Sequence, residues 1–205
     1  MDYRRFYHLE DYLFDTVRIH FQEQGYLSAL DFFCIVIWKA NRAKSKIARR
    51  LLSKGYGNLD SAVRELTSGI ARQTSPKDCL RYLWEDWQFH LPMATAILAV
   101  LYPDEFTVYD SRVCDELGNF YDLGNITKFD KLWLRYLEFR KKVEESVPCD
   151  LNLRDKDRYL WGKSFYQQLT RDIARGFAGE HPFEPKQSET TLASPSCADP
   201  VSSLG

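Results

Sequence analysis

An all-α fold, one compact bundle of eight to nine helices, is predicted by two observations. Apolar residues recur at helical spacing along most of the chain, and each recurrence is bounded by capping residues, prolines or glycines. Composition agrees with this. Hydrophobic residues make up 44% of the 205 and charged residues 28%, which is ample for a core, and aromatics at 15% suit close helix packing.

Residues 9–24 place Tyr12, Leu13, Val17, His20 and Phe21 on one helical face. Ser28 caps a second helix, with Asp31 three residues on as its box partner. That helix, ALDFFCIVIWKA, is apolar nearly all round and is expected at the centre of the core. Its run CIVIW also reads as a strand, but the cap and the helical neighbours favour helix. Asn41 begins a basic amphipathic helix to Lys54, ended by Gly55. Asn58 or Asp60 caps the next, to about Arg72.

Ser75-Pro76 is a start signal for a helix expected to run to His90, whose ring would sit at its C-terminus. Leu91-Pro92 breaks that helix and opens another, to about Tyr102. Asp110 to Leu117 forms a short helix ending at Gly118. After the loop GNFYDLGNI, Thr127 with Asp130 is expected to cap a long helix carrying the stripe Phe129, Leu132, Trp133, Tyr136, Leu137 and Val143, stopped by Pro148. A last helix covers roughly 152–177. Residues 1–178 thus read as one all-α domain, and 179–205, rich in Ser and Pro, as a disordered tail.

Several function classes lose ground here. The cysteines, Cys34, Cys79, Cys114, Cys149 and Cys197, are odd in number and far apart, without CxxC, so neither a disulfide framework nor a metal cluster is expected. A reducing, cytoplasmic setting is the expectation. No apolar run approaches the ~20 residues of a membrane helix, and MDYRRFYHLEDYLF lacks the apolar core of a signal peptide. The four His form no HxxxH or HExxH pattern, and GxxxxGK[ST], GxGxxG and GxSxG are all missing. No cofactor or metal is expected.

Two features remain. Between Asp31 and Asp60 there is no acid, yet Lys39, Arg42, Lys44, Lys46, Arg49, Arg50 and Lys54 fall there, in a chain of net charge −1. Such a field suits a phosphate backbone, or it is a solvated face balanced in space by acids such as Glu85, Asp86, Glu144 and Glu145. The second feature is Asp110, a lone acid closing the apolar stretch HLPMATAILAVLYPDEFTVYDSRV. It is either a helix N-cap or the one catalytic group of the chain.

The order of helix, LP break, helix, short extended run and Asp resembles the helix-hairpin-helix DNA glycosylase superfamily. LPMATAIL at 91–98 stands where that family has its hairpin, and VYDSRV at 108–113 where it has its essential Asp. WKANRAK at 38–44 and RDKDRYLWGKS at 154–164 are also similar to bacterial proteins of this type. The resemblance spans roughly residues 28–170. It implies a double-stranded DNA partner and hydrolysis of the N-glycosidic bond of a damaged base, with Asp110 catalytic.

On that resemblance Met93, Ala94 and Thr95 occupy the DNA-binding turn. Arg112 pairs with Asp110 or meets a phosphate, and Trp38, Trp84, Trp87, Tyr109 and Tyr121 are candidates for a base pocket. Three departures are plain: the hairpin glycines are replaced, iron–sulfur cysteine spacing is absent, and no lysine lies between Lys77 and Lys128. The last removes the hairpin amine nucleophile and points to monofunctional excision. The alternative is a noncatalytic nucleic-acid-binding or protein-interaction module of the same fold.

Overall fold

The structure is a computed structural model that describes residues 2–177. Among these there is no strand: the chain is all-α. Residues up to Gln168 form one compact unit, and the described remainder from Leu169, the end of the last helix, belongs to a second. The tail expected from 179 lies outside the described residues.

Helix α1 covers residues 9–24 and contains a π-turn, Leu13–Val17, between the α-segments Leu9–Tyr12 and Arg18–Gln24. It ends at Gly25, whose φ of +72° is the left-handed conformation that costs glycine least. Helix α2, Ala29–Ala40, starts where Ser28 Oγ accepts the Asp31 N–H. A 3₁₀ turn, Asn41–Ala43, bends the chain into the basic α3, Lys44–Leu52. Asn58 caps α4, Leu59–Ala71, and Ser75 caps α5, Pro76–Arg81. Where α4 meets α5, a Cβ on Gly69 would lie 2.0 Å from Tyr82 Oη, so only glycine admits that ring.

Helix α5 does not reach His90. It passes into a π-turn, Tyr82–Asp86, and residues 87–90 form a non-helical turn with Gln88 at φ +55°. His90 therefore takes the N-cap position of α6, Leu91–Leu101, and its carbonyl accepts the Met93 and Ala94 N–H groups. The proline at the second helical position forfeits only an N–H that would be orphaned anyway. Apolar on every side, α6 buries all of its residues but Pro92. It occupies the centre expected of α2, which instead leaves Leu30 and Ile37 exposed.

Asp110 caps α7, Ser111–Leu117, which Gly118 ends at φ +63°. Helix α8, Phe129–Glu145, starts one residue later than a Thr127 cap would give. Lys128 is its N-cap and no side chain bonds there, so the expected Thr127–Asp130 box does not form. Asp130 instead meets Lys77 at 2.8 Å and Arg81 at 3.2 Å, tying α8 to α5. Of the expected stripe, Phe129, Leu132, Tyr136 and Val143 are buried, Trp133 is partly buried and Leu137 is 36% exposed, while Phe139, which was not part of it, is fully buried. Helix α9, Leu153–Ala174, closes the fold.

Among the described residues no helix is long and apolar enough to cross a membrane. Cys34, Cys79 and Cys114 are free and buried, and Cys149 is free and exposed.

Candidate functional site

Segment 106–110 joins the core to α7 and has neither helix nor sheet to pair its backbone, so side chains do that work. Thr107 N–H donates to Tyr136 Oη at 3.0 Å, and that hydroxyl donates back to Thr107 O at 2.8 Å. Val108 N–H donates to Asp157 Oδ2 at 3.3 Å, and Tyr109 N–H to Thr95 Oγ1 at 3.0 Å. Buried amides left unpaired would each cost roughly 1–3 kcal/mol, so three helices (α6, α8 and α9) fix this segment against slippage.

Asp110 sits at its end and uses its two oxygens differently. Oδ1 accepts the Arg112 N–H at 3.0 Å, the N-cap bond of α7. Oδ2 accepts Lys39 Nζ at 2.5 Å, and the same amine reaches Tyr109 O at 3.4 Å. Lys39 comes from the last turn of α2, and its side chain is only 12% exposed against 23% for Asp110. Asp110 is therefore the N-cap of α7, and its second oxygen is held by an ion pair with Lys39.

The pair lines a cavity of about 730 Å³. Trp38 and Trp161 supply aromatic wall, while Glu10, Arg154, Asp157 and Arg158 form a charged flank. Arg154 bonds Glu10 and, at 2.6 Å, Asp157; Arg158 meets Glu10 at 3.0 Å. Burial pushes the Asp157 carboxyl up to about 6, and the Arg154 guanidinium opposes that without cancelling it. Half-burial also pushes Glu10 upward, but two guanidiniums outweigh it and its carboxyl ends below the ordinary range.

At the rim, Trp161 and Phe165 stack with ring centroids 5.6 Å apart and planes within 7°, both more than 40% exposed. The Arg112 guanidinium lies over both rings, 5.3 and 5.4 Å from their centroids. Its Nη1 also donates to Gln168 at 2.7 Å. Arg112 thus meets Asp110 through its backbone alone; the charged partner of that carboxylate is Lys39.

The residues expected at a DNA-binding turn are elsewhere. Met93, Ala94 and Thr95 lie inside α6 and are buried, because the turn between α5 and α6 falls earlier, at 87–90. Thr95 is a positioning residue for segment 106–110, as its bond to Tyr109 shows. Of the expected pocket aromatics only Trp38 lines the cavity. Trp84 packs on Phe129 at 5.7 Å, and Trp87 is buried and stacked with Tyr56. The Tyr109 ring points into the core against Phe139, with its hydroxyl on Phe120 O, and Tyr121 bonds Asp115 at the surface.

The basic stretch is divided three ways. Lys39 enters the cavity. Arg50 and Lys54 bond the carbonyls of Gln88 and Asp86, and so brace the turn between α5 and α6. Arg42, Lys44, Lys46 and Arg49 remain exposed, with Lys44 on Asn41 Oδ1 and Arg49 on Ser45 O.

The sequence reading missed Glu10, Arg154, Asp157, Arg158 and Trp161 as site residues. For the last four there was a signal. Segment 154–164 alternates acids and bases around a tryptophan, and 154, 157, 158 and 161 share one helical face. Among the described residues no group of three or more His, Cys, Asp or Glu is placed to hold a metal ion. Comparisons of this chain with protein-family models, with curated proteins and with solved structures find no match.

Proposed function

We propose that this chain is a DNA-binding protein of the helix-hairpin-helix glycosylase type, which excises a base with Asp110. The observation that carries the reading is Asp110 itself, a carboxylate fixed at both oxygens on the wall of a cavity that two tryptophans line. Cleaving an N-glycosidic bond builds positive charge on the sugar. A preorganised carboxylate stabilises that charge and orients the attacking water. A base taken out of the stack, at a cost of a few kcal/mol, needs an aromatic surface to receive it, and Trp38 and Trp161 offer one. Arg42, Lys44, Lys46 and Arg49 supply exposed charge for phosphates, and the free thiols agree with a reducing, cytoplasmic setting.

The second reading, a noncatalytic binding or interaction module, is favoured by the turn at 87–90. The Asp86 and Gln88 carbonyls are already engaged there, and no glycine lets the backbone close on a phosphate.

The separating experiment incubates the protein and Asp110→Asn with duplexes carrying uracil, alkylated purines, oxidised guanine or mismatches, then reveals abasic sites with alkali. Excision predicts release of one base by the wild type and a loss of roughly 10²–10⁴-fold in the variant. Equal DNA binding by both with no release from any duplex selects the binding module.

A further inference from the structure

We propose that Arg112 is the phosphate anchor of a nucleotide site, in which a nucleoside phosphate lays its base on the aromatic wall of the cavity and its phosphate on that guanidinium. This goes beyond the reading above, because it needs no bond to be broken and gives Asp110 no part. It comes from the charges that line the cavity, one of which has no counter-ion.

Four cations, Lys39, Arg112, Arg154 and Arg158, line the cavity together with three carboxylates, Glu10, Asp110 and Asp157. Lys39 pairs with Asp110 at 2.5 Å. Arg154 pairs with Glu10 and, at 2.6 Å, with Asp157. Arg158 pairs with Glu10 at 3.0 Å and with Asp155 at 2.9 Å. Among the described residues that line the cavity, Arg112 is the one cation without a carboxylate partner. The lining therefore carries an excess positive charge, and that charge belongs to a single side chain. An anion is the ligand that completes it.

The Arg112 guanidinium is also fixed in place. It lies 5.3 Å from the Trp161 ring centroid and 5.4 Å from that of Phe165, and its Nη1 donates to Gln168 Oε1 at 2.7 Å. A guanidinium has more N–H groups than one amide oxygen can accept, and those left over form a planar fork that fits two oxygens of a phosphate. Trp161 lines the cavity beside it and is 42% exposed, with Trp38 as further aromatic wall. An exposed indole takes the flat face of any nucleobase. The volume of about 730 Å³ lies in the range that encloses small ligands whole. A bare base would leave Arg112 without its counter-ion, and a bare phosphate would leave the tryptophans uncovered. A base joined to a phosphate through a sugar satisfies both.

The test titrates the full chain in a calorimeter with 5′-dAMP, deoxyadenosine and inorganic phosphate at constant ionic strength. Adenine serves as the base because stacking is tolerant of base identity. The expected result is that dAMP binds roughly 10- to 100-fold more tightly than deoxyadenosine, the yield of one charge-assisted contact, and that inorganic phosphate competes with it. Arg112→Ala should lower dAMP affinity to that of deoxyadenosine and leave deoxyadenosine binding unchanged. Arg112→Lys, which keeps the charge but not the fork, should fall between. Equal affinity of the wild type for dAMP and deoxyadenosine overturns the proposal, as does no dAMP binding or no competition by phosphate. So does a preference for dAMP that survives in folded Arg112→Ala. The wild-type comparison decides the matter even where a variant fails to fold. Single strands with and without a 5′-phosphate identify the source of the nucleotide. A gain from the terminal phosphate places a strand end in the site, whereas tight dAMP binding without that gain assigns the site to free nucleotides. Base release is read in parallel on the lesion duplexes. Release without a preference for dAMP leaves excision standing and overturns this inference, whereas an Arg112-dependent preference without release does the reverse.

Discussion

Thr95 Oγ1 accepts the Tyr109 N–H at 3.0 Å while its own proton goes to Leu91 O at 2.8 Å. A hydroxyl in the middle of the most apolar helix is thereby satisfied twice, and it pins the backbone one residue before Asp110. Thr95→Val keeps the shape and removes both bonds, leaving a buried N–H without a partner. The expected loss is about 1–3 kcal/mol in urea denaturation, with Thr95→Ser close to wild type. An unchanged midpoint in the valine variant would show that segment 106–110 is held without this bond.

Asp157 gives the protein a pH dependence of definite sign. Its folded-state carboxyl is pushed by burial from 3.8 up to about 6, so the folded chain binds this proton more tightly than the unfolded chain does. Its contribution to stability therefore falls as pH rises from about 4 to about 6, and is flat above. Asp157→Asn lacks the titration. The stability of the wild type minus that of the variant should decline across this window in denaturation at stepped pH. A difference that climbs with pH would mean that the Arg154 pairing outweighs burial.

The division of the basic stretch is also measurable. Arg50→Ala removes the brace on Gln88 O and should cost about 1 kcal/mol of stability. Lys46→Ala, exposed on α3, should change stability by less than about 0.5 kcal/mol, yet lower the slope of log DNA affinity against log salt by about 1. Identical salt slopes for Lys46→Ala and wild type would remove α3 from the DNA surface.

At the rim, Trp161 is both probe and platform. If a base stacks there, DNA binding quenches its fluorescence. Trp161→Ala then weakens binding to single-stranded or abasic DNA by roughly 1–3 kcal/mol, with little change in thermal unfolding. Affinity unaltered by this substitution would assign the Trp161–Phe165 stack to surface packing against Arg112.

What was legible in the sequence was local. Ser28, Asn58, Ser75 and Asp110 all cap helices as their residue types require, because a cap bond reaches only two or three residues along the chain. The turn at 87–90 was expected at 93–95. A proline after an apolar break marks a helix start equally well whether the preceding helix ends there or, as here, ends earlier in a π-turn. Aromatics could not be sorted between core and cavity, since Trp84, Trp87 and Trp161 each sit on an amphipathic segment and differ only in what packs on them.

The sequence by itself determined an all-α chain, most element boundaries (the end of α5 excepted) to within a few residues, and Asp110 as the acid that opens α7. Only the tertiary structure decided what faces Asp110. Arg112, its neighbour in sequence, is carried away onto Trp161 and Phe165. Lys39 is carried in from the end of α2. The reason is the reach of the forces involved. Caps and periodicity are settled within one or two helical turns, whereas a contact between residues 71 positions apart depends on how α2, α6 and α9 bury their apolar faces together.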